Sequence, residues 1–262
     1  MSLFGDPAVE VVVINWKRPR NVARIVHALR NQSVRPTITI VDCHPNWRYH
    51  LSKSTLAKAD RVYRQHRNLG SFNRYVPLGA YDHEFTYFAD DDMLPGSRCI
   101  EHFLDTKPHQ FGVLGQIGRR LNADGSYSRR GVTRTGSLEQ VDFLIRGYFV
   151  PTSRLDCVNR LRWQLNLQKE PSVEDDMLLS VSMDLIYGLD SLLSPASDDS
   201  ESKQNKLELK ARHALAKRPD HFDRRVAFIE QAKNAGWQPK HGLGWSSEGQ
   251  DQVPLRYHSQ EE

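Results

Sequence analysis

Cysteine is scarce in this chain. Cys43, Cys99 and Cys157 are the only three among 262 residues, and no two of them form a CxxC pair. A disulfide framework needs paired cysteines, and a thiolate zinc site needs closely spaced ones. The sequence therefore predicts neither kind of site, and it fits a reducing compartment.

Long hydrophobic runs are also missing. No stretch approaches the roughly 20 apolar residues that span a bilayer, and Met1 to Pro7 is too short and polar for a secretion signal. Hydrophobic residues make up 39% of the chain and charged residues 26%, which is typical of a globular domain. We expect a soluble, cytoplasmic protein with no transmembrane segment. The net charge of +4 suits a small anionic ligand without requiring a polyanion. This number does not exclude nucleic acid, but we expect no nucleic acid partner.

A third absence concerns glycine after the first predicted strand. The β-branched run from Val9 to Ile14 is typical of a strand buried on both faces. The segment Asn15 to Pro19 that follows contains no glycine. Nucleotidyltransferases and phosphosugar enzymes usually place a glycine-rich phosphate loop there. The sequence therefore favours other chemistry, although that class stays an alternative.

Alternating strand and helix patterns predict an α/β fold. Asn21 is the predicted N-cap of an amphipathic helix, and the strand–helix–strand unit around it places a ligand site at the carboxyl ends of its strands, near Asn15 to Arg18 and near Asp42. Further strands are predicted at 37–41, 62–63, 85–89, 112–117 and 141–150, and helices at 54–58, 96–104, 175–187 and 207–235. Segment 122–136 is predicted to be polar and irregular, segment 194–206 to be a surface loop or disordered, and segment 242–262 to dock in part.

Three consecutive carboxylates, Asp90, Asp91 and Asp92, follow the apolar run Phe85 to Ala89. Alternate side chains of an extended segment share one side, so Asp90 and Asp92 are predicted to bind one cation. Mg²⁺ or Mn²⁺ is typically held by one or two carboxylates together with substrate phosphates. The alternative is a solvated acidic turn or a helix N-terminus, where aspartate is favoured for capping alone.

A second acidic cluster and several arginines supply the remaining candidates. Glu174, Asp175 and Asp176 stand at the head of a predicted helix, where an acid either caps the helix or acts as a base towards a hydroxyl group. The basic segment 64–74 precedes the acidic triplet, and arginine binds phosphate with two donors at once. A solvated basic surface is the alternative. The histidines show no HExxH spacing and are interpreted as packing or surface residues.

Taken in order, these motifs resemble a GT-A glycosyltransferase over roughly Val9 to Met183, and within that fold the chain is most similar to the exostosin-like family. The segments that carry the resemblance are VVVINWKRP, IVDC, QHRNLGSFNR, TYFADDDML, GVLGQIGRRL, FLIRGYFV and VEDDMLLS. It implies a Rossmann-like mixed sheet flanked by helices, in a single catalytic domain with a C-terminal helical extension. The expected divisions are a core at 1–190, a polar loop at 191–206, and helices and a tail at 207–262 that complete the site.

The resemblance also implies a function and a set of site residues. The expected reaction transfers a sugar from a UDP-sugar to a hydroxyl of a glycan or glycoconjugate, with Mn²⁺ or Mg²⁺ as cofactor. Asp92 and Asp90 would bind the metal, Gly147 would shape the acceptor wall, and Asp175, Asp176 and Arg225 would be catalytic. The donor nucleotide and sugar would contact Asn15, Arg18, Asp42, Arg67, Asn68, Asn73, Arg74, Asp90, Asp91 and Arg119.

Mechanism and family assignment leave alternatives open. The family retains anomeric configuration, which needs no protein nucleophile when the leaving phosphate takes the proton. Inversion would instead require Asp175 or Asp176 as general base. A non-catalytic module that binds nucleotide sugars is a further alternative. The chain departs from the family in lacking its cysteine pair, because Glu174 and Phe228 stand at those positions. The oligomeric state is not predicted.

Overall fold

The computed structural model describes residues 9–67, 69–132, 134, 136–167, 172, 174–207 and 217–240. Asn68 and the tail 242–262, both subjects of sequence predictions, lie outside these described residues.

The first half of the chain forms four parallel strands. In chain order, its elements are β1 (Val9–Asn15), α1 (Pro19–Arg30), β2 (Thr37–Asp42), α2 (Lys53–Leu56), β3 (Arg61–Arg64) and β4 (Phe85–Ala89). The strands lie in the order β3-β2-β1-β4 with parallel pairing throughout. Parallel strands place their carboxyl ends at one edge, so β1, β2 and β4 end side by side.

The second half extends this sheet with mixed pairing. Its elements are β5 (Met93–Pro95), α3 (Cys99–Thr106), β6 (Val113–Gly115), β7 (Gly118–Arg119), β8 (Glu139–Val141), β9 (Phe143–Leu144), β10 (Tyr148–Pro151), α4 (Asp156–Gln164), α5 (Asp175–Tyr187), β11 (Ser191–Leu193), β12 (Gln204–Lys206) and α6 (His221–Asn234). Strand β10 pairs antiparallel with β4 and β6, and β6, β11 and β8 complete the eight-stranded sheet. The predicted α/β fold with a mixed sheet is confirmed.

Helices cover both faces of the sheet because strand side chains alternate between the faces. Val11 and Val13 of β1 pack in one core cluster with α1 and α3, whereas Val12 packs in another with α4, α5 and α6. Both clusters consist of buried apolar side chains, which explains why β1 carries valine on both of its faces. In the part of the chain described, no helix is long and apolar enough to cross a bilayer.

Several local predictions were wrong. Helix α1 begins at Pro19, which is favoured at a first helical position, so Asn21 lies inside the helix and is not its N-cap. The strand predicted at 141–150 is divided into β8, β9 and β10, since Arg146 and Gly147 adopt positive φ angles of 62° and 97°. Segment 194–206 is no simple loop, because its β12 pairs with β5 directly after the acidic triplet. Of the helix predicted at 207–235, the described part begins at His221.

Gly147 predicts a measurable backbone effect. An added Cβ would lie 3.1 Å from the Phe88 carbonyl oxygen and 3.0 Å from Gln204 Oε1, at a φ that other residues avoid. We expect Gly147→Ala to lower the free energy of unfolding by about 1–3 kcal/mol in urea titrations. Gly79→Ala is the matched control, because nothing lies within 4 Å of its Cβ position. Equal stability of the two variants would contradict the prediction.

Candidate active site

The carboxyl ends of β1 and β2 are joined by a hydrogen bond. Asn15 and Asp42 are opposite each other in the parallel register, and Asn15 Nδ2 donates to Asp42 Oδ1 at 2.7 Å and to the Tyr49 carbonyl oxygen at 2.8 Å. Both side chains are buried, and Asn15 Oδ1 has no partner among the described residues. The pair therefore leaves one buried amide oxygen without a partner among the described residues at this edge.

Three rings beside this pair were not identified from the sequence. Trp16 and His44 have ring centroids 4.3 Å apart, and His44 and Tyr49 have centroids 4.4 Å apart. All three are half-buried; Trp16 directly follows β1 and His44 follows β2 by two residues, whereas Tyr49 lies further along the chain. The sequence does carry a signal for two of these rings, because Trp16 and His44 stand shortly after predicted strands. Tyr49 has no such signal.

The acidic triplet follows β4 in a turn. Met93 N–H donates to the Asp90 carbonyl oxygen at 3.1 Å, so the segment is a turn and the side-chain alternation of an extended strand does not apply to Asp90 and Asp92. Arg18 Nη1 contacts Asp91 at 2.5 Å and Asp92 at 3.3 Å. Asn21 Nδ2 donates to the Asp91 carbonyl oxygen at 2.9 Å. The turn is thus held by residues at the start of α1.

Arg74 connects the triplet to the second acidic cluster. Its guanidinium is buried and donates to Asp90 Oδ1 at 2.8 Å and to Tyr148 Oη at 2.7 Å. Its Nε lies 3.2 Å from Asp175 Oδ2, which also accepts from Tyr148 Oη at 3.0 Å. One arginine and one tyrosine therefore join two aspartates that lie 85 positions apart in the sequence.

Asp176 is held by a different arginine, from α6. Arg225 Nη1 and Nη2 contact the two Asp176 carboxylate oxygens at 2.9 Å each, and Arg225 Nε donates to Tyr127 Oη at 2.9 Å. Beside this pair, Arg224 binds both oxygens of Glu174 at 2.8 and 3.1 Å. No side-chain hydrogen bond caps α5 at Glu174, but Asp175 and Asp176 lie in its first turn and Met177 N–H donates to Asp176 Oδ1 at 2.9 Å, as a helix-terminus role would require. These ion pairs attach α6 to the site.

The remaining predicted residues, Arg119, Asn73 and Arg67, have different surroundings. Arg119 Nη1 donates to the Ser128 carbonyl oxygen at 2.9 Å and the guanidinium stacks on Tyr127 at 5.5 Å, while Nε has no partner among the described residues. Asn73 is buried and donates to the Gly70 carbonyl oxygen at 3.0 Å. Arg67 is exposed on the surface.

Burial and mutual repulsion perturb the acids. Burial raises the pKa of Asp91 to about 6; the Arg18 guanidinium opposes this shift, and the Asp92 and Asp90 carboxylates add to it. Burial also raises the pKa values of Asp90 and Asp175, against the opposing effect of Arg74. Carboxylates with raised pKa values are under-compensated, so the three paired arginines leave residual negative charge.

This residual charge fits a divalent cation. Asp90, Asp91, Asp92, Asp175 and Asp176 pair with Arg18, Arg74 and Arg225, so five carboxylates meet three guanidinium groups. Among the described residues, these acids do not form a cluster of three candidate ligand atoms. A cation there would depend on one or two carboxylates and on phosphate oxygens from a ligand, which is how Mg²⁺ is usually bound.

The chain is similar to solved structures of one protein. No protein-family model and no curated protein matches the chain. The S. aureus TarS 1–349 structure in complex with UDP-GlcNAc matches with a TM-score of 0.59 and 16% identity, over 88% of this chain and 68% of that one. A second crystal structure of S. aureus TarS 1–349 matches with a TM-score of 0.53 and 16% identity, over 88% of this chain and 67% of that one.

The chain shares the fold of TarS. A further TarS structure matches with a TM-score of 0.53 and 15% identity over 85% of this chain, which spans only 39% of the TarS chain. At such identities the likeness extends to the fold and no further. The predicted GT-A fold, a mixed sheet flanked by helices, is confirmed by this likeness. The exostosin-like family is not found.

The raised pKa of Asp91 predicts a stability change. Without added metal, Asp91→Asn is expected to raise the free energy of unfolding at pH 7.5 by about 1–3 kcal/mol, because a charged Asp91 with a pKa near 6 instead of 3.8 disfavours the folded state. The folded protein binds this proton more tightly than the unfolded one, so the gain must shrink as pH falls through 6 towards 4. Urea titrations at pH 7.5 and near pH 4 test this difference in the free energy of unfolding.

Asp105→Asn provides the control for Asp91→Asn, because Asp105 is an exposed carboxylate on α3. It should change stability little at either pH. An Asp91→Asn variant that is less stable than wild type at pH 7.5, or whose gain grows in acid, would contradict the assignment.

Proposed function

We propose that the protein is a metal-dependent glycosyltransferase that moves a sugar from a nucleotide diphosphate donor, most simply a UDP-sugar, to a hydroxyl of a glycan or glycoconjugate. The observation that carries the proposal is the Arg74 link between Asp90 and Asp175, since it brings a candidate metal-binding turn and a candidate acceptor-side acid into one network. The shared fold, including that of a structure in complex with UDP-GlcNAc, supports it.

The nucleotide would lie at the carboxyl ends of β1 and β2. Asn15 and Asp42 offer an amide and a carboxylate that can hydrogen-bond a base or ribose, and the adjacent rings of Trp16 and Tyr49 offer a stacking surface. The buried Cys43 thiol lies in the field of both Asp42 and Asp91, which places the pair and the triplet in one region. Base and diphosphate would thus be bound by adjacent strand ends.

The diphosphate would bind between the triplet and the arginines. Asp92 and Asp90 are the proposed metal ligands, and Mn²⁺ or Mg²⁺ bound there would neutralise charge on the departing diphosphate. Arg18 at present neutralises Asp91 and Asp92, so a cation at Asp92 would free its guanidinium to bind phosphate. Arg225 is the proposed second phosphate ligand, and Arg119 the proposed contact to the donor sugar.

The acceptor would approach from the side of α5 and β12. Gly147 packs closely against Gln204, whose side-chain amide atoms have no partner among the described residues. Gln204 also lines a cavity of about 380 Å³. We propose this cavity as the start of the acceptor path, with α6 and the residues after it completing the site.

Retention and inversion of anomeric configuration require different groups at the reacting centre. Retention needs no base, and Arg225 and the cation would stabilise the phosphate that takes the acceptor proton. Inversion needs a carboxylate of raised pKa, and burial raises the pKa of Asp175. Asp176 suits the role of base less well, because both of its oxygens are bound by Arg225.

Nucleotide binding provides the first test of the proposed function. Calorimetric titration of UDP is expected to show binding that Mn²⁺ tightens by at least tenfold, with GDP weaker. Asp92→Asn should remove the effect of the metal, whereas the exposed control Asp105→Asn should retain it. A chain that binds neither nucleotide, with or without Mn²⁺, would end the proposal, and metal-independent binding would favour a binding module.

Product stereochemistry separates the two mechanisms. Once a donor is found, NMR of the freshly formed product reports its anomeric configuration. With inversion, Asp175→Asn should lower kcat at least a hundredfold and leave the KM for the donor nearly unchanged. With retention, the same variant should lower kcat far less than Arg225→Met does. An inverted product made at full rate by Asp175→Asn would exclude Asp175 as base.

A further inference from the structure

A second group of ionisable side chains lies at the opposite edge of the sheet from the candidate active site. Glu10 stands near the start of β1, and Asp82 and His83 precede β4. Glu10 is five residues from Asn15 along β1, which separates the two regions by roughly 16 Å at the rise of a β-strand. A property of this group is therefore independent of the proposed function.

Glu10 is an unusual residue for its position. It is fully buried among valines of β1, and its Oε2 has no hydrogen-bond partner among the described residues. An isolated buried carboxylate is costly unless it is protonated, paired or bound to a metal. Its neighbours therefore decide what compensates the charge.

Three candidate ligand atoms converge at this point. His83 Nδ1 lies 3.7 Å from Glu10 Oε2 and 2.8 Å from Asp82 Oδ1. Tetrahedral zinc with bonds of about 2.05 Å places its ligand atoms about 3.3 Å apart, between these two distances. The Glu10, Asp82 and His83 set is the only such cluster of three His, Cys, Asp or Glu side chains found in the described part of the chain.

The other contacts of these side chains are those that orient metal ligands. His83 Nε2 lies 2.8 Å from Thr37 Oγ1, so a proton on Nε2 leaves the Nδ1 lone pair directed to the cluster. The Thr39 hydroxyl donates to Glu10 Oε1, which leaves Oε2 for the site. Arg61 Nη2 binds the two Asp82 oxygens at 3.0 and 3.1 Å, and Arg61 Nη1 lies 3.5 Å from Glu10 Oε1, so this guanidinium supplies part of the charge that the carboxylates need. Each candidate ligand thus has a supporting partner.

We propose that Glu10, Asp82 and His83 form a binding site for a divalent transition metal ion, with zinc as the best fit, that fastens the segment before β4 to the start of β1. Two carboxylates and one imidazole supply three oxygen and nitrogen ligands, and water can supply the fourth. The Asp82 side chain is 66% exposed, so an ion has access from solvent. The alternative is a protonated His83 that bridges the two carboxylates without metal.

Zinc binding by the whole chain tests this site. We expect metal-free wild type to bind Zn²⁺ at Glu10, Asp82 and His83 and to unfold at a higher temperature when it is bound. His83→Gln and Glu10→Gln should each weaken this binding at least tenfold, and Co²⁺ in the same site should show the visible absorption of a four-coordinate ion that His83→Gln loses. His109→Gln, at an exposed histidine, is the control.

The controls distinguish this site from the triplet. Asp92→Asn should leave the zinc-dependent rise in unfolding temperature intact, whatever it does to nucleotide binding. Three results would overturn the proposal: absence of Zn²⁺ binding by wild type, binding that His83→Gln leaves unchanged, and binding that Asp92→Asn removes. A difference in stability between wild type and His83→Gln that appears without metal, with no effect of Zn²⁺, would instead support the protonated bridge.

Discussion

The buried guanidinium of Arg74 is the constraint on which the candidate site depends. A buried charge is tolerated only when it is paired and hydrogen-bonded, and Arg74 meets this requirement through Asp90, Asp175 and Tyr148. The Tyr148 hydroxyl group links the arginine to Asp175, and the Arg74 carbonyl oxygen accepts from Tyr81 Oη at 2.6 Å. Removing Arg74 would leave the Asp90 and Asp175 carboxylates without their shared cation.

Backbone contacts bring the segments that carry Arg74, Tyr148 and Asp175 next to one another. Gly70 has a positive φ of 67°, and Ser172 N–H donates to the Leu69 carbonyl oxygen at 3.0 Å. This contact brings the turn that carries Arg74 beside the residues that precede α5. Because β10 runs antiparallel to β4, Tyr148 pairs with Phe88 in register and lies next to the end of β4. The two acidic clusters therefore meet at one edge.

Much of this arrangement was predictable, but only where the information is local. The runs of β-branched residues predict β1 and β2, and Asp90 to Asp92 after an apolar strand predict an acidic strand end. The pairing of Arg74 with Asp175, and of Arg225 with Asp176, depends on the tertiary fold, so no spacing in the sequence indicates it. The division of segment 141–150 depends on Arg146, which adopts a positive φ that its residue type does not favour.

Helix α6 shows how far the site extends along the chain. Its Arg224 and Arg225 bind Glu174 and Asp176 at the head of α5, so a segment near the end of the described chain closes the site. In the family that the sequence resembles, a cysteine would replace Glu174. Here an ion pair joins α5 to α6 at that position, and Phe228 is buried in the core. Charge pairing thus attaches the helix without a disulfide, as the scarcity of cysteine requires.

Anomalous diffraction from crystals grown with UDP and Mn²⁺ tests the central claim most directly. The account predicts a manganese peak bound by Asp92, with Asp90 beside it, Arg18 displaced towards the diphosphate, and the base beside Asn15 and Asp42. A manganese peak away from the triplet, or a nucleotide bound at another edge of the sheet while Arg18 still pairs with Asp92, would contradict it.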